Sequence, residues 1–309
     1  MNILLNILAI AISTVLLWKG SEWLVDAAVR IAHKLHMPDL AIGLTIVAMG
    51  TSAPEFAVTI NAAIRGLPNI SVSNVVGSNI FNLGFILGGV AAIRAIKTTP
   101  TLVWRDGLFL LGVSGVLVLF LRDLTLDTHE AITLMIGLVV YITYLFWKKV
   151  PLEEREPGEP FAWTDIPLFL LGVATVVGGG HLLVWGAVSL ARGFGISEWA
   201  IGVTVVAAGT SAPEFATSLM AAMKGRYSIS AGNLIGSDLF NLLGVLGLAG
   251  TLRTLTIDAA GLHSLYVLVG MVLLVVVFMR TGWRVSRAEG VFLVALNLVR
   301  WVFDFWPNK

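Results

Sequence analysis

The chain has 309 residues, of which 57% are hydrophobic and 13% charged, and its mean hydropathy is +0.89. Soluble domains are roughly half apolar and a quarter charged, so this composition indicates a membrane protein. The formal net charge of +1 and the lack of a basic cluster argue against a nucleic-acid partner. The absence of cysteine excludes disulfides, thiolate zinc sites and cysteine nucleophiles.

Apolar segments long enough to cross a membrane recur along the chain. A spanning helix needs about 20 mostly apolar residues. Residues 1–20 have no basic residue before the apolar stretch and no clear small-residue cleavage site, so we interpret them as part of the first span and not as a signal peptide. The pattern predicts an all-α membrane protein with ten spans, near residues 3–33, 39–64, 70–93, 106–121, 129–147, 163–192, 198–223, 228–251, 261–279 and 288–304.

The two halves of the chain are related in sequence. Residues 41–88 align without gaps with residues 200–247, and 27 of the 48 positions are identical. Such self-similarity indicates an internal duplication. Five spans per half is an odd number, so the second half enters the membrane from the opposite side, which makes an inverted repeat typical of transporters. We predict a first repeat over 1–147, a polar cytoplasmic linker over 148–162 and a second repeat over 163–309.

The distribution of Lys and Arg predicts the orientation. With both termini outside, the inner loops would hold 13 of these residues and the outer side 6, leaving out Lys19 within the first span. Because cytoplasmic loops carry the excess of positive charge, we expect both termini outside.

The hexapeptide GTSAPE occurs at residues 50–55 and again at 209–214, each time within an apolar span. Proline has no N–H and clashes with the carbonyl four residues back. We therefore expect Pro54 to free the Gly50 carbonyl and disturb that of Ala48, and Pro213 to do the same in the second copy. An intramembrane glutamate, here Glu55 or Glu214, is a functional candidate by default.

The span after each hexapeptide carries a polar stripe at i, i+4 and i+8, which places its members on one side of a helix. The stripes are Asn74, Ser78 and Asn82 in the first copy and Asn233, Ser237 and Asn241 in the second. Together with the hexapeptides they supply carboxylate, hydroxyl, amide and carbonyl oxygens without imidazole or sulfur. Such hard ligands suit Ca²⁺ and Na⁺.

At these residues the sequence resembles the sodium/calcium exchanger group of the cation/calcium antiporter superfamily. The two hexapeptides, together with GSNIFN at 77–82 and GSDLFN at 236–241, look like the two alpha-repeats of that family. The resemblance implies an electrogenic antiporter of a prokaryotic-type cell membrane that exchanges about three Na⁺ for one Ca²⁺ by alternating access. It implies no cofactor and no enzymatic activity. No protein partner is evident, and a monomer is consistent with this interpretation.

The resemblance also implies roles for individual residues. The central Ca²⁺ site would use Glu55, Glu214, Thr51, Thr210 and the carbonyls of Ala48 and Ala207. The flanking Na⁺ sites would draw on Ser52, Ser211, Ser78 and Ser237, with Asn82 and Asn241 beside the central site. Potassium-dependent relatives carry an Asp in place of Asn241, so we expect no K⁺ requirement.

Several alternatives stay open. Asp238 stands where many relatives have Asn, and it either joins the ion site or lies off the ion path, protonated or paired with a polar neighbour. A proton/calcium or other divalent cation exchanger is the nearest rival function, although the Thr-Ser pair favours Na⁺. An intramembrane enzyme would need a Gly-x-Gly-Asp motif or a Ser/His pairing, neither of which is found. A channel would need rings of ligands along an open path.

Overall fold

The computed structural model describes residues 3–35, 37–147, 160–194 and 207–305, which are mostly helical. In the first half the α-helices are α1 (Ile3–Lys34), α2 (Asp39–Ile42), α3 (Ala48–Thr51), α4 (Ala53–Ile64), α5 (Pro68–Phe81), α6 (Leu87–Ile93), α7 (Leu108–Phe120) and α8 (Thr128–Trp147). In the second half they are α9 (Asp165–Gly193), α10 (Ala207–Thr210), α11 (Ala212–Met223), α12 (Tyr227–Leu239), α13 (Leu246–Leu252), α14 (Ala259–Arg280) and α15 (Arg287–Phe305).

Wider π-helical turns interrupt several spans without ending them. They lie at Gly43–Val47, Asn82–Ile86, Leu102–Gly107 and Phe240–Val245, and short 3₁₀ turns follow α7 and α14 at Leu121–Asp123 and Thr281–Trp283. The strands β1 (Ile96–Lys97), β2 (Thr125–Leu126), β3 (Leu255–Thr256) and β4 (Arg284–Val285) are two residues each. The all-α prediction missed these strands, because a strand of two residues is too short to show an alternation of polar and apolar residues.

Within the described ranges, seven helices are long and apolar enough to cross a membrane, and the pair Asp39–Thr51 and Ala53–Ile64, bent by 53°, makes an eighth. The sequence predicted ten spans. The span near 198–223 falls partly on residues 195–206, outside the described residues. The last one, α15, is less clearly apolar because it carries Glu289, Arg300 and Asp304.

One compact unit comprises Met1–Val58 and Val139–Ser237. Its helices α1 and α9 pack along each other, with α11 against both. The contact is close because α9 places glycines against α1: a Cβ built on Gly172 would lie 2.8 Å from the backbone nitrogen of Leu24. Small residues let helices approach in this way in membranes. At one end of the pair Arg30 donates to Asp165 at 2.7 Å.

The other unit comprises Thr59–Leu138 and Asp238–Lys309. Helix α14 packs against α5 and α7, while α15 packs against α6 and the adjoining π turn Asn82–Ile86. The strands pair antiparallel, β1 with β4 and β2 with β3, and so join loops from the two halves of the sequence. Each compact unit thus contains residues from both predicted repeats.

Candidate ion-binding site

Both hexapeptides break their helix at the same residue. Helix α3 ends at Thr51, Ser52 has φ −77° and ψ 10°, and α4 begins at Ala53. In the second copy Ser211 has φ −93° and ψ 8° between α10 and α11. The proline that follows cannot donate to the preceding turn but fits the first turn of the next helix. The predicted broken helices are therefore confirmed, with the serine at each break.

The two serines at the breaks are each bonded to the glutamate of the other copy. Ser52 donates to an Oε of Glu214 at 3.1 Å, and Ser211 donates to an Oε of Glu55 at 3.0 Å. Glu55 is 1% exposed and Glu214 is 0% exposed. Each glutamate lies in the first turn of a 12-residue helix, where the helix dipole favours negative charge. The fold thus brings the two sequence-predicted acids into one buried pair of reciprocal contacts.

The carbonyl of Ala48, which we expected Pro54 to disturb, keeps a backbone hydrogen bond. It accepts the backbone N–H of Ser52 at 3.0 Å, because the proline removes the donor to Gly50 and not the donor to Ala48. The hydroxyls of Thr51 and Ser237 lie 3.3 and 3.5 Å from the same oxygen. A carbonyl has two lone pairs, so coordination of an ion by Ala48 stays compatible with this bond.

An asparagine from each polar stripe is anchored to the hexapeptide helix of its own copy. Asn233 donates to the hydroxyl of Ser218 at 3.0 Å, and Asn74 donates to the hydroxyl of Thr59 at 2.9 Å. The hydroxyl of Thr51 lies 3.2 Å from the side-chain oxygen of Asn233. Sequence reasoning missed Thr59 and Ser218, although they occupy equivalent positions in the alignment of the two copies.

A second reciprocal set lies wholly in the other compact unit. Asn82 donates to an Oδ of Asp238 at 3.1 Å, and Asn241 donates to the side-chain oxygen of Asn79 at 3.1 Å. Asn79 in turn donates to the Asp238 carbonyl at 3.0 Å. Asp238 and Asn79 are equivalent positions of the duplication, so the bonds repeat the internal symmetry. Asp238 is therefore hydrogen-bonded to Asn82, and whether it belongs to the ion site stays a prediction.

Three buried oxygens in these sets have no hydrogen-bond partner among the described residues. They are Oε2 of Glu214 and the side-chain oxygens of Asn82 and Asn241. Buried oxygens without partners are costly, and a cation would satisfy them. The two asparagine oxygens are equivalent in the duplication, and the nitrogen of each side chain is already engaged, which leaves the oxygen as the available ligand.

Helix irregularities and a close backbone contact occur at or near the polar residues. The π turns Asn82–Ile86 and Phe240–Val245 fall in equivalent parts of the two copies, each including the last asparagine of its stripe. In the first unit, a Cβ on Gly236 would lie 2.6 Å from the Cα of Leu44, which belongs to the π turn Gly43–Val47. Such π turns often occur at functional sites. The sequence pattern did not predict them.

The remaining predicted residues take less distinctive positions. The hydroxyl of Ser78 donates to the Asn74 carbonyl at 2.7 Å within its own helix. Thr210 and Ala207 end and begin the short helix α10. In the described part of the chain, no group of three or more His, Cys, Asp or Glu is placed to hold a metal ion.

Comparison with known proteins gives consistent matches. The family model described as "Sodium/calcium exchanger protein" matches residues 5–147 and 165–306. The sodium/calcium exchanger MaX1 of Methanosarcina acetivorans is 31% identical, with 98% of this chain and 99% of the relative covered. The inner membrane protein YrbG of Escherichia coli is 31% identical, with 93% of each covered.

A solved structure is also similar over nearly the whole chain. The sodium-calcium exchanger NCX_Mj, soaked with zero Na⁺ and Ca²⁺, has a TM-score of 0.85 and 29% identity. The similarity covers 96% of this chain and 98% of that one.

Proposed function

This chain belongs to the sodium/calcium exchanger protein family, and we propose that it exchanges Na⁺ for Ca²⁺ across a membrane by alternating access. The observation that carries the proposal is the reciprocal pairing of Ser52 with Glu214 and of Ser211 with Glu55. Both acids are buried, and both are held by neutral hydroxyl donors. A buried carboxylate pair is costly unless cations neutralise it.

The charge of this pair matches the proposed cargo. Two ionised glutamates balance one Ca²⁺, and Ca²⁺ takes six to eight oxygen ligands. The same two charges with about three Na⁺ would leave one excess positive charge, so exchange would be electrogenic. Membrane potential would then act on the cycle with about 2.3 kcal/mol per charge per 100 mV.

We assign the Ca²⁺ ligands to Glu55, Glu214, Thr51, Thr210 and the carbonyls of Ala48 and Ala207. The Na⁺ ligands are assigned to Ser52, Ser211, Ser78 and Ser237, with Asn82 and Asn241 adjacent. The unpartnered oxygens of Glu214, Asn82 and Asn241 support this assignment. The two asparagines add no carboxylate, so the exchanger is expected to work without K⁺.

The proposed architecture is an inverted pair of five-span repeats with both termini outside, and a monomer is consistent with it. Its support is the alignment of 41–88 with 200–247 and the equivalent helix breaks at Ser52 and Ser211. Inverted repeats place the site where the two copies meet. The cross-copy serine–glutamate bonds are consistent with that rule.

The deciding experiment is ⁴⁵Ca²⁺ uptake into proteoliposomes loaded with Na⁺, with K⁺ or with a proton gradient. Uptake that requires internal Na⁺ and no K⁺ is the expected result. Uptake driven by the proton gradient alone would identify the rival proton/calcium exchanger. Calcium entry without any counter-ion gradient would identify a channel and refute the proposal.

A further inference from the structure

A groove of about 430 Å³ lies between helices α14 and α15 of the second compact unit, away from the polar residues described above. The two helices pack mainly on other partners, α14 on α5 and α7 and α15 on α6, so they leave a space between them. We call this space the α14–α15 groove. Its volume falls within the roughly 300–1,000 Å³ of typical ligand pockets.

The two ends of the α14–α15 groove differ in polarity. His263 and Ser264 lie near the start of α14, and Arg300 lies near the end of α15. Short connections join α14 to α15, so these three residues gather at one end of the helix pair. Further along α14 the lining becomes apolar, with Met271 and Leu274.

The length of the groove matches one leaflet of a bilayer. From His263 to Leu274 is eleven residues of helix, or about 16 Å at about 1.5 Å per residue. Half of a hydrocarbon core about 30 Å thick is about 15 Å. In a bilayer, the polar, cationic end of the groove would lie at the depth of the headgroups and its apolar end near the midplane.

Neighbouring side chains indicate that the groove opens toward lipid. Tyr266 and Leu273 on α14 are 57% and 51% exposed, and Val299 on α15 is 53% exposed. On a membrane-spanning helix such apolar exposure is contact with acyl chains. The inner wall is Asn297, which is 1% exposed and donates to the Leu293 carbonyl.

We propose that the α14–α15 groove binds one anionic phospholipid. Its phosphate would be held by the Arg300 guanidinium with Ser264 and His263, and one acyl chain would lie along Met271 and Leu274. A guanidinium forms strong, charge-assisted hydrogen bonds with phosphate oxygens, so the cationic end of the groove complements an anionic headgroup. A second protein chain fits the groove less well, because the lining changes from cationic to apolar over the length of one leaflet.

The groove also touches the helix that carries the polar stripe of the first copy. Asn297 packs against Gly84, where an added Cβ would lie 1.8 Å from the amide nitrogen of Asn297. Gly84 belongs to the π turn that begins with Asn82. A lipid in the groove would therefore brace the helices around this turn, and it should stabilise the folded protein by mass action.

The test uses the full-length protein purified in detergent with added phosphatidylglycerol, and native mass spectrometry counts the lipids that remain bound. Gly270 lines the groove, and a Cβ there meets no described atom within 4 Å, so Gly270→Leu should fill the groove without strain. Gly112→Leu, at an equally open glycine of α7, is the matched control. Arg300→Gln, with Arg122→Gln as its control, tests the headgroup contact.

We expect one phosphatidylglycerol per wild-type chain and at least tenfold less in Gly270→Leu and in Arg300→Gln, with both controls unchanged. Added phosphatidylglycerol should raise the thermal unfolding midpoint of the wild type and of the controls, and not that of Gly270→Leu. Equal lipid retention in Gly270→Leu and Gly112→Leu would overturn the proposal. So would a dimer that Gly270→Leu dissociates, since the groove would then be an interface between two copies.

Discussion

Replacing either buried glutamate by glutamine should abolish calcium transport. Glu55→Gln and Glu214→Gln keep the size of the side chain and one oxygen that can accept the serine hydroxyl of the other copy. What each change removes is one of the two negative charges facing the proposed Ca²⁺ site. Because both side chains are no more than 1% exposed, solvent cannot replace that charge.

The magnitude follows from the geometry of a direct ligand. At a calcium–oxygen distance of about 2.4 Å and an effective dielectric constant of about 20, one charge on the ligand contributes about 14 kcal/mol of attraction to the doubly charged Ca²⁺. An amide dipole recovers part of this. Even if half is recovered, about five factors of ten in Ca²⁺ affinity are lost, since about 1.4 kcal/mol is a factor of ten.

The assay is Na⁺-dependent ⁴⁵Ca²⁺ uptake into proteoliposomes, with the amount of folded protein checked by size-exclusion chromatography. Glu22→Gln is the matched control, because Glu22 lies within a span but is paired with Lys19 in a partly exposed position. Uptake in the control should stay near the wild-type rate. Substantial uptake by either folded glutamine variant at wild-type Ca²⁺ affinity would show that the charge argument is wrong.

Three further outcomes are expected. Ser52→Ala and Ser211→Ala should each weaken Na⁺-driven uptake by a similar factor, because each removes one of two equivalent bonds to a buried carboxylate; very unequal effects would contradict the symmetric site. Gly236→Val should lower the thermal unfolding midpoint while Gly112→Val does not, because only Gly236 presses on the backbone of Leu44; equal midpoints would contradict that contact. Replacing K⁺ by choline should leave calcium uptake unchanged, and a large drop would reveal a further carboxylate at the ion site.

Sequence alone predicted the elements that local chemistry dictates. Pro54 and Pro213 break their helices because proline lacks a backbone N–H, an effect that does not depend on tertiary structure. The breaks lie within the two hexapeptides, as the sequence predicted. The polar composition of the site could also be predicted from the sequence, because a carboxylate in an apolar span needs a partner. The duplication strengthened both predictions, because the proline and the glutamate occur at equivalent positions in the two copies.

What sequence could not predict depends on tertiary packing. Whether Ser52 meets Glu55 or Glu214 is decided by contacts between segments far apart in the chain. No periodic pattern of hydrophobic residues in the sequence predicts a π turn. The π turn at Gly43–Val47 lies where Gly236 closely approaches the backbone of Leu44. Thr59 and Ser218 could have been found, because each hydroxyl occupies the same position in both copies of the alignment.

Asp238 is the one charge that breaks the symmetry of the two polar sets, and its replacement tests the proposed charge count. In one account it is a third site carboxylate, three negative charges match three Na⁺, and the Na⁺-loaded state is neutral. In the other it lies off the ion path. The second account is favoured because Asp238 points about 100° away from Ser237 on its helix.

We therefore predict that Asp238→Asn leaves exchange active and still electrogenic. The fold should accept the change, because the equivalent Asn79 already accepts the same kind of bond from Asn241 through its amide oxygen. The measurement is Na⁺-driven Ca²⁺ uptake at clamped positive and negative membrane potentials, wild type against variant. One excess charge per cycle corresponds to about 2.3 kcal/mol per 100 mV, which such clamps resolve. Loss of transport, or a changed voltage dependence, would place Asp238 among the ion ligands and refute a site of two charges.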